Sequence, residues 1–316
     1  MAKKEKSCAF RTSIGGQALI EGILMRGPKK QAIVCRKADG ELSVQVSELK
    51  FVKDRYPILG WPFIRGVANF LDSMVKGMQA ITWSAEQQPE ELQEEPSKFD
   101  LWLEKKLGNE KAEKIVLGCA VALGIMLAIG LFFFLPTLLT GLFDSALHSR
   151  LLRNLIEGII RICIFLLYLW AVTRMKEIQR MFAYHGAEHK TIHCYEKGLP
   201  LTVENVRTQP KEHPRCGTSF LFVVMIVSVL VLMFVNWTTP LMRLVIRLCL
   251  LPLIVAISYE FNRLVGRHDN VLTSILSWPG RQLQHLTTFE PDDSMIECAI
   301  ESIKLVIPEE EGADKW

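Results

Sequence analysis

The chain of 316 residues contains no CxxC and no paired cysteine spacing, although it holds eight cysteines: Cys8, Cys35, Cys119, Cys163, Cys194, Cys216, Cys249 and Cys298. That scatter argues against a disulfide framework and a zinc ribbon, and fits reduced thiols facing a cytoplasm. Also missing are G-x-G-x-x-G, the P-loop and G-x-S-x-G, so nucleotide binding and the serine elbow of α/β-hydrolases have no support. Neither sign of charge dominates, with 37 Lys plus Arg against 34 Asp plus Glu and a net charge of +3. No nucleic-acid footprint follows from that balance. Lys3, Lys4 and Lys6 are not followed by an apolar run, so the start of the chain does not read as a secretory signal and is expected to stay in the cytoplasm.

What is present is apolar. Hydrophobic residues make up 49% and charged ones 22%, too apolar for an ordinary soluble enzyme and too charged for membrane spans alone. Residues 115–135 run without a charge for the length that crosses a bilayer, and 155–172, 218–235 and 241–258 are shorter candidates. Eight Lys and Arg lie in 174–217 and 19 precede residue 115, which predicts four spans in two hairpins with both termini cytoplasmic, in the cytoplasmic membrane. Glu157, Arg161, Arg243 and Arg247 fall within or beside the spans; they read as an ion-pair cluster toward the outer ends, the competing reading being a proton or ion pathway.

The fold class expected is therefore mainly α, a polytopic membrane protein with about four transmembrane helices and a cytoplasmic α+β portion. The expected divisions are 1–85 (Gly-rich motif, β-hairpin, amphipathic helix), 86–114 (acidic linker and short helix), 115–172 and 218–258 (the two hairpins), 173–217 (a His-rich segment) and 259–316 (interfacial C-terminal region). Gly15, Gly16, Gly22 and Gly27 suggest tight turns, and Asp39-Gly40 between β-prone runs suggests a type I′ hairpin. Residues 62–83 carry apolar side chains at helical spacing, as do 261–288 with a break at Pro279-Gly280, and 294–307 reads as a last helix. The two amphipathic stretches suit the lipid bilayer or other membrane proteins as partners.

The chemistry-bearing pattern is FAYHGAEHKTIHCYE. On a helix, His185, His189 and His193 fall within 80° of one another, with Glu196 and Glu188 on the same face. Imidazoles at i and i+4 can bind one divalent metal such as zinc, and H-x-x-E-H matches the inverted zinc-protease pattern, in which Glu188 acts as general base. A solvated polar face is the plainer alternative. KEHPRCGTSF brings His213 and Cys216 to the same side of the membrane as further ligands, Cys being a soft donor that suits zinc. Glu260 returns to that interface as a distal carboxylate ligand, unless it pairs with Arg263 one turn on.

The motifs GGQALIEGILMRGP, YHGAEHKTIHCYE, HPRCGTSF, ISYE and LTTFEPDDSMIECAI, in this order across residues 10–307, resemble those of the YqhQ-like family. This is a bacterial membrane group of unknown function described as predicted metal-dependent enzymes. The resemblance implies a metal at His185, Glu188, His189 and His193. It also draws attention to Glu21 and Arg26, as a site pair or a structural ion pair, and to Glu290, Asp292 and Asp293, as site residues or a helix cap. Two functions compete: a metal-dependent membrane hydrolase acting at the cytoplasmic interface, and a non-enzymatic assembly factor, chaperone or scaffold.

Overall fold

The computed structural model describes residues 10–50, 52–88, 109–143, 149–235, 239–268, 270–310 and 312–315. It is mainly helical with one small antiparallel sheet. The acidic linker expected from residue 86 lies, beyond Gln88, outside these residues, as does the side chain of Arg243. Two compact units share the chain: 1–88, 169–227 and 251–316 form the first, 89–168 and 228–250 the second.

The sheet of the first unit is a meander of β1 (Gly15–Leu19), β2 (Gly22–Arg26), β3 (Lys30–Arg36) and β4 (Leu42–Glu48), each strand antiparallel to the next. The glycines read as turns are thus largely strand. β1 and β2 pair Leu19 with Gly22 around a two-residue turn, in which Glu21 takes φ +49. Glu21 is held there by Arg180, whose Nε and Nη2 each donate to its carboxylate at 2.5 Å, and by the Tyr184 hydroxyl at 3.2 Å. It does not pair with Arg26, which donates to Ser73 Oγ at 3.3 Å. The β3–β4 connection is not a type I′ turn: Gly40 N donates to the Lys37 carbonyl at 3.0 Å and, in this loop, only Gly40 has positive φ. That is the three-residue loop of a type I turn closed by a left-handed glycine.

Both faces of β2 and β3 are covered. Ile23, Met25, Ala32 and Val34 join a core with helices that run Lys176–Glu196 and Asp293–Lys304, while Leu24, Ile33 and Cys35 pack on Ala80, Ile81 and Trp83. Among the described residues the helices are, in chain order, α1 (Val52–Arg55), α2 (Ile64–Glu86), α3 (Asn109–Ile129), α4 (Leu135–Gly141), α5 (Arg150–Val172), α6 (Lys176–Glu196), α7 (Val203–Arg207), α8 (Gly217–Leu232), α9 (Pro240–Arg267), α10 (Val271–Thr287) and α11 (Asp293–Lys304). Asn270 starts α10 with a reciprocal cap, its Oδ1 accepting from Thr273 N at 2.8 Å, and the helix continues through Pro279-Gly280. Asp292 caps α11, accepting from Met295 N at 3.0 Å. α6 stops where Gly198 adopts φ +64, a conformation that closes helices at low cost for glycine alone.

Among the described residues three stretches are long and apolar enough to cross a membrane: Ile115–Gly141, Arg150–Val172 and Leu244–Arg267. The first joins α3 to α4 through a wide π-type turn, Gly130–Phe134, just before Pro136. The fourth expected span is the shorter helix Gly217–Leu232. Within the second unit, Arg161 Nε donates to the Phe132 carbonyl of that wide turn at 2.9 Å. Glu157 accepts from Thr137 Oγ1 at 2.6 Å and pairs with Arg247 more closely than with Arg161, which stands at 3.8 Å.

Candidate metal centre

The histidines lie on the buried side of α6, in the first unit. His185 and His189 meet edge to face with ring centroids 4.3 Å apart; His189 and His213 follow at 5.6 Å, and His213 and His193 at 4.7 Å. The segment 209–216 is laid along this face and brings both of its expected residues. Three backbone carbonyls fix the imidazoles, and since a carbonyl only accepts, each facing ring nitrogen carries the proton. His185 Nδ1 donates to Thr287 at 2.8 Å, His189 Nδ1 to Lys211 at 2.5 Å, and His193 Nε2 to Glu212 at 2.9 Å. The opposite nitrogen of each ring faces away from these carbonyls and becomes a donor to an ion when it gives up any proton it holds.

The expected ligands separate into two groups. His185, His189 and Cys216 each offer a donor atom within 4.8 Å of the others, and His193, Glu196 and His213 form a second such group. The axial rise explains the division: at about 1.5 Å per residue, His185 and His193 start about 12 Å apart, too far to share an ion bound at about 2 Å. Glu260 joins neither group. Its carboxylate receives Arg65 Nε at 2.7 Å and Nη2 at 2.5 Å, and Phe63 N at 3.3 Å, so its partner is Arg65 and not the Arg263 one turn on.

The first group suits an ion. His185 Nε2 stands 3.2 Å from Cys216 Sγ, close to the about 3.5 Å that separates a nitrogen and a sulfur on a tetrahedral zinc. Burial opposes charge on both groups. Even so, the negative Cys216 raises His185 to about 9, and His185 and His189 hold the Cys216 thiol well below its usual value. A thiolate beside two oriented imidazoles is a soft, negatively charged donor set, and three protein ligands leave a coordination position open. Glu188 is buried beside them. Its Oε1 accepts from Gly16 N at 3.0 Å, whereas Oε2 has no hydrogen-bond partner among the described residues. Burial pushes its carboxyl up, and His185 and His189 offset only part of that.

The second group is already neutralised. Arg215 donates to Glu196 Oε1, which also accepts from Thr12 N at 2.9 Å, while His213 Nε2 lies 3.5 Å from Glu196 Oε2 and 3.4 Å from Arg215. Burial, then His193 and Arg215, push His213 well below its usual range, so it is a neutral ring next to a guanidinium. A cation there competes with Arg215 for the same carboxylate.

Several supports carried no signal in the sequence. Gln284 is fully buried; its Oε1 accepts from His213 N at 2.7 Å, and its Nε2 donates to the His213 carbonyl and to Ser219 Oγ, both at 2.8 Å. Gly186 lets the 287–291 crossing reach α6: a Cβ there would stand 2.1 Å from the Phe289 carbonyl. Glu290 accepts from the buried Lys190, and Asp293 accepts from Arg207 at 2.5 Å, so with Asp292 as a cap the acidic triplet is structural. Thr12, whose Oγ1 donates to Asp314 Oδ2 at 2.6 Å, ties the two ends of the described chain together beside Glu196.

The family profile "Protein of unknown function (DUF1385)" matches residues 61–309. The chain belongs to the DUF1385 family. It is 32% identical over 290 residues to "Uncharacterized protein YqhQ" of Bacillus subtilis (strain 168), covering 91% of this chain and 90% of that protein. No solved structure matches the chain. The DUF1385 match takes in both histidine groups, Cys216 and Gln284, while Gly16 lies ahead of it.

Proposed function

We propose that this DUF1385 protein is a metal-dependent hydrolase of the cytoplasmic membrane, with its site at the cytoplasmic interface. One observation carries the reading: His185, His189 and Cys216 offer donor atoms within 4.8 Å while carbonyls fix the far nitrogen of both rings. A divalent ion, zinc by the softness of the thiolate, supplies the positive charge that makes a water acidic near neutral pH. Glu188 is the proton acceptor, because its free Oε2 and raised pKa suit a general base. Gly16 orients it through Oε1. His193, Glu196, His213 and Arg215 form a positioning layer, in which His213 sits between His193 and the ligand His189.

Four spans, with Gly217–Leu232 as the short one, put both termini and the basic 174–217 segment on the cytoplasmic side. The test is metal content of the detergent-purified, tag-free protein. Near-stoichiometric zinc, iron or manganese is expected in the wild type and its loss in a folded His185→Ala/His189→Ala variant. Absence of metal in both after reconstitution would overturn the reading. Glu188→Gln should keep the metal and lose turnover by about 100-fold or more.

The exposed apolar residues of α2 and α10, among them Leu71, Met74, Leu272 and Ile275, favour a second reading as an assembly factor for other membrane proteins. In that case in-cell cross-links to protein neighbours persist in the His185→Ala/His189→Ala variant with no defect in their turnover.

A further inference from the structure

Away from the imidazoles, the first unit contains a cavity of about 440 Å³ lined by the start of α2, the last turns of α9 and Arg215. Its charged lining is Arg65, Arg215, Arg263, Arg267 and Lys315, and no Asp or Glu lines it. Two of these charges are met from outside the cavity, Arg65 by Glu260 and Arg215 by Glu196. Arg263, Arg267 and Lys315 form no salt bridge within 4.0 Å among the described residues. Arg263 and Arg267 stand one turn apart on α9 and so face the same way, an arrangement that is repulsive until an anion lies between them. Tyr259 adds a donor, because its hydroxyl accepts from Asn69 Nδ2 at 2.8 Å and keeps its own proton to give. Guanidinium pairs match the spacing of phosphate oxygens and recognise them with two parallel hydrogen bonds.

The surroundings say what else the anion carries. The volume exceeds that of a phosphate ion and lies in the range of sites that hold a small organic ligand. In the turn that supplies Leu59 and Gly60 to the lining, Ile58 and Trp61 stay 52% and 60% exposed, an apolar rim beside a basic interior. Arg263 and Arg267 end the helix Leu244–Arg267, which is long and apolar enough to cross a bilayer. Basic side chains at such an end, with tryptophan beside them, lie at headgroup depth.

We propose that this cavity binds the phosphate group of a phosphate-bearing ligand, the apolar rim favouring a phospholipid headgroup over a free phosphate. Arg215 joins it to the second histidine group through Glu196 and His213. As a binding site it stands on the cavity; as a substrate pocket it rests on the metal-centre reading above.

The test uses the full chain in an uncharged detergent, titrated with dihexanoyl phosphatidic acid, dihexanoyl phosphatidylcholine and inorganic phosphate, and read by Trp fluorescence and thermal shift. Saturable binding of phosphatidic acid is expected, weakened about tenfold or more in Arg263→Gln/Arg267→Gln. Lys315→Gln, at an exposed position where folding is not at stake, should weaken it by about threefold. Displacement by inorganic phosphate would assign recognition to the phosphate alone, and binding of phosphatidic acid without such displacement would assign it to the lipid. The His185→Ala/His189→Ala variant should bind phosphatidic acid like the wild type, so failure of the metal reading and failure of this one are told apart. No binding of phosphatidic acid or phosphate by the wild type, or binding unchanged in both charge variants, would overturn the proposal.

Discussion

His185, Glu188, His189 and Cys216 were legible as residues because helical spacing and the compact KEHPRCGTSF run announce themselves in one dimension. Their grouping was not. A helical wheel keeps angle and discards rise, so His193 shared a face with His185 while standing two turns below it. Glu260 was misplaced for a different reason: its partner Arg65 is 195 positions away, and no local pattern points to it. Gly186 is a poor helix former by propensity, yet in the fold it is where the Phe289 carbonyl touches α6. Gly186→Ala should destabilise the protein by about 1–3 kcal/mol, because a backbone carbonyl cannot swing aside as a side chain would. Thermal unfolding in detergent measures this, and an unchanged midpoint would show that the crossing can shift freely.

At the scale of elements, the strands were harder to see than the helices. β4 alternates apolar and polar residues as Leu42, Val44 and Val46 do, and it is the half-exposed edge. β2 hides in the continuous apolar run Ile23-Leu24-Met25 because the sheet is covered there by α2 on one face and by α6 and α11 on the other, which erases the alternation. α11, by contrast, was legible from its cap onward. Burial opposes charge on Asp292, but the hydrogen bonds from Ser294 and from Met295 N hold its carboxyl below the usual range. A depressed carboxyl contributes stability above its unfolded pKa and loses it as pH falls through the folded value. Asp292→Ala should therefore cost about 1 kcal/mol at neutral pH. The gap from wild type should close in acid; urea unfolding at a series of pH values checks this, and a gap that persists in acid would remove the charge from the account.

At the scale of the whole molecule, the number of crossings is a question of parity. Three spans leave the termini on opposite sides, four return them to the same side, and α8 decides between them. Its 16 residues extend about 24 Å against a hydrocarbon core of about 30 Å, so a crossing would need its ends drawn in or the bilayer thinned. Reporters fused to either end should both read cytoplasmic, and a periplasmic C-terminus would rule out the four-span arrangement. The tie from Asp314 through Thr12 to Glu196 has a consequence for biosynthesis. Thr12 and Asp314 stand 302 positions apart with all the described helices between them, and together they brace the Glu196 carboxylate beside Arg215 and His213. The layer behind the candidate centre is thus completed only once both segments and the helices between them have been made, and a chain halted midway carries its histidines without that setting. A chain ended before Asp314 should be inserted normally but be poor at retaining metal, which elemental analysis reads and which makes the 312–315 segment a checkpoint of maturation.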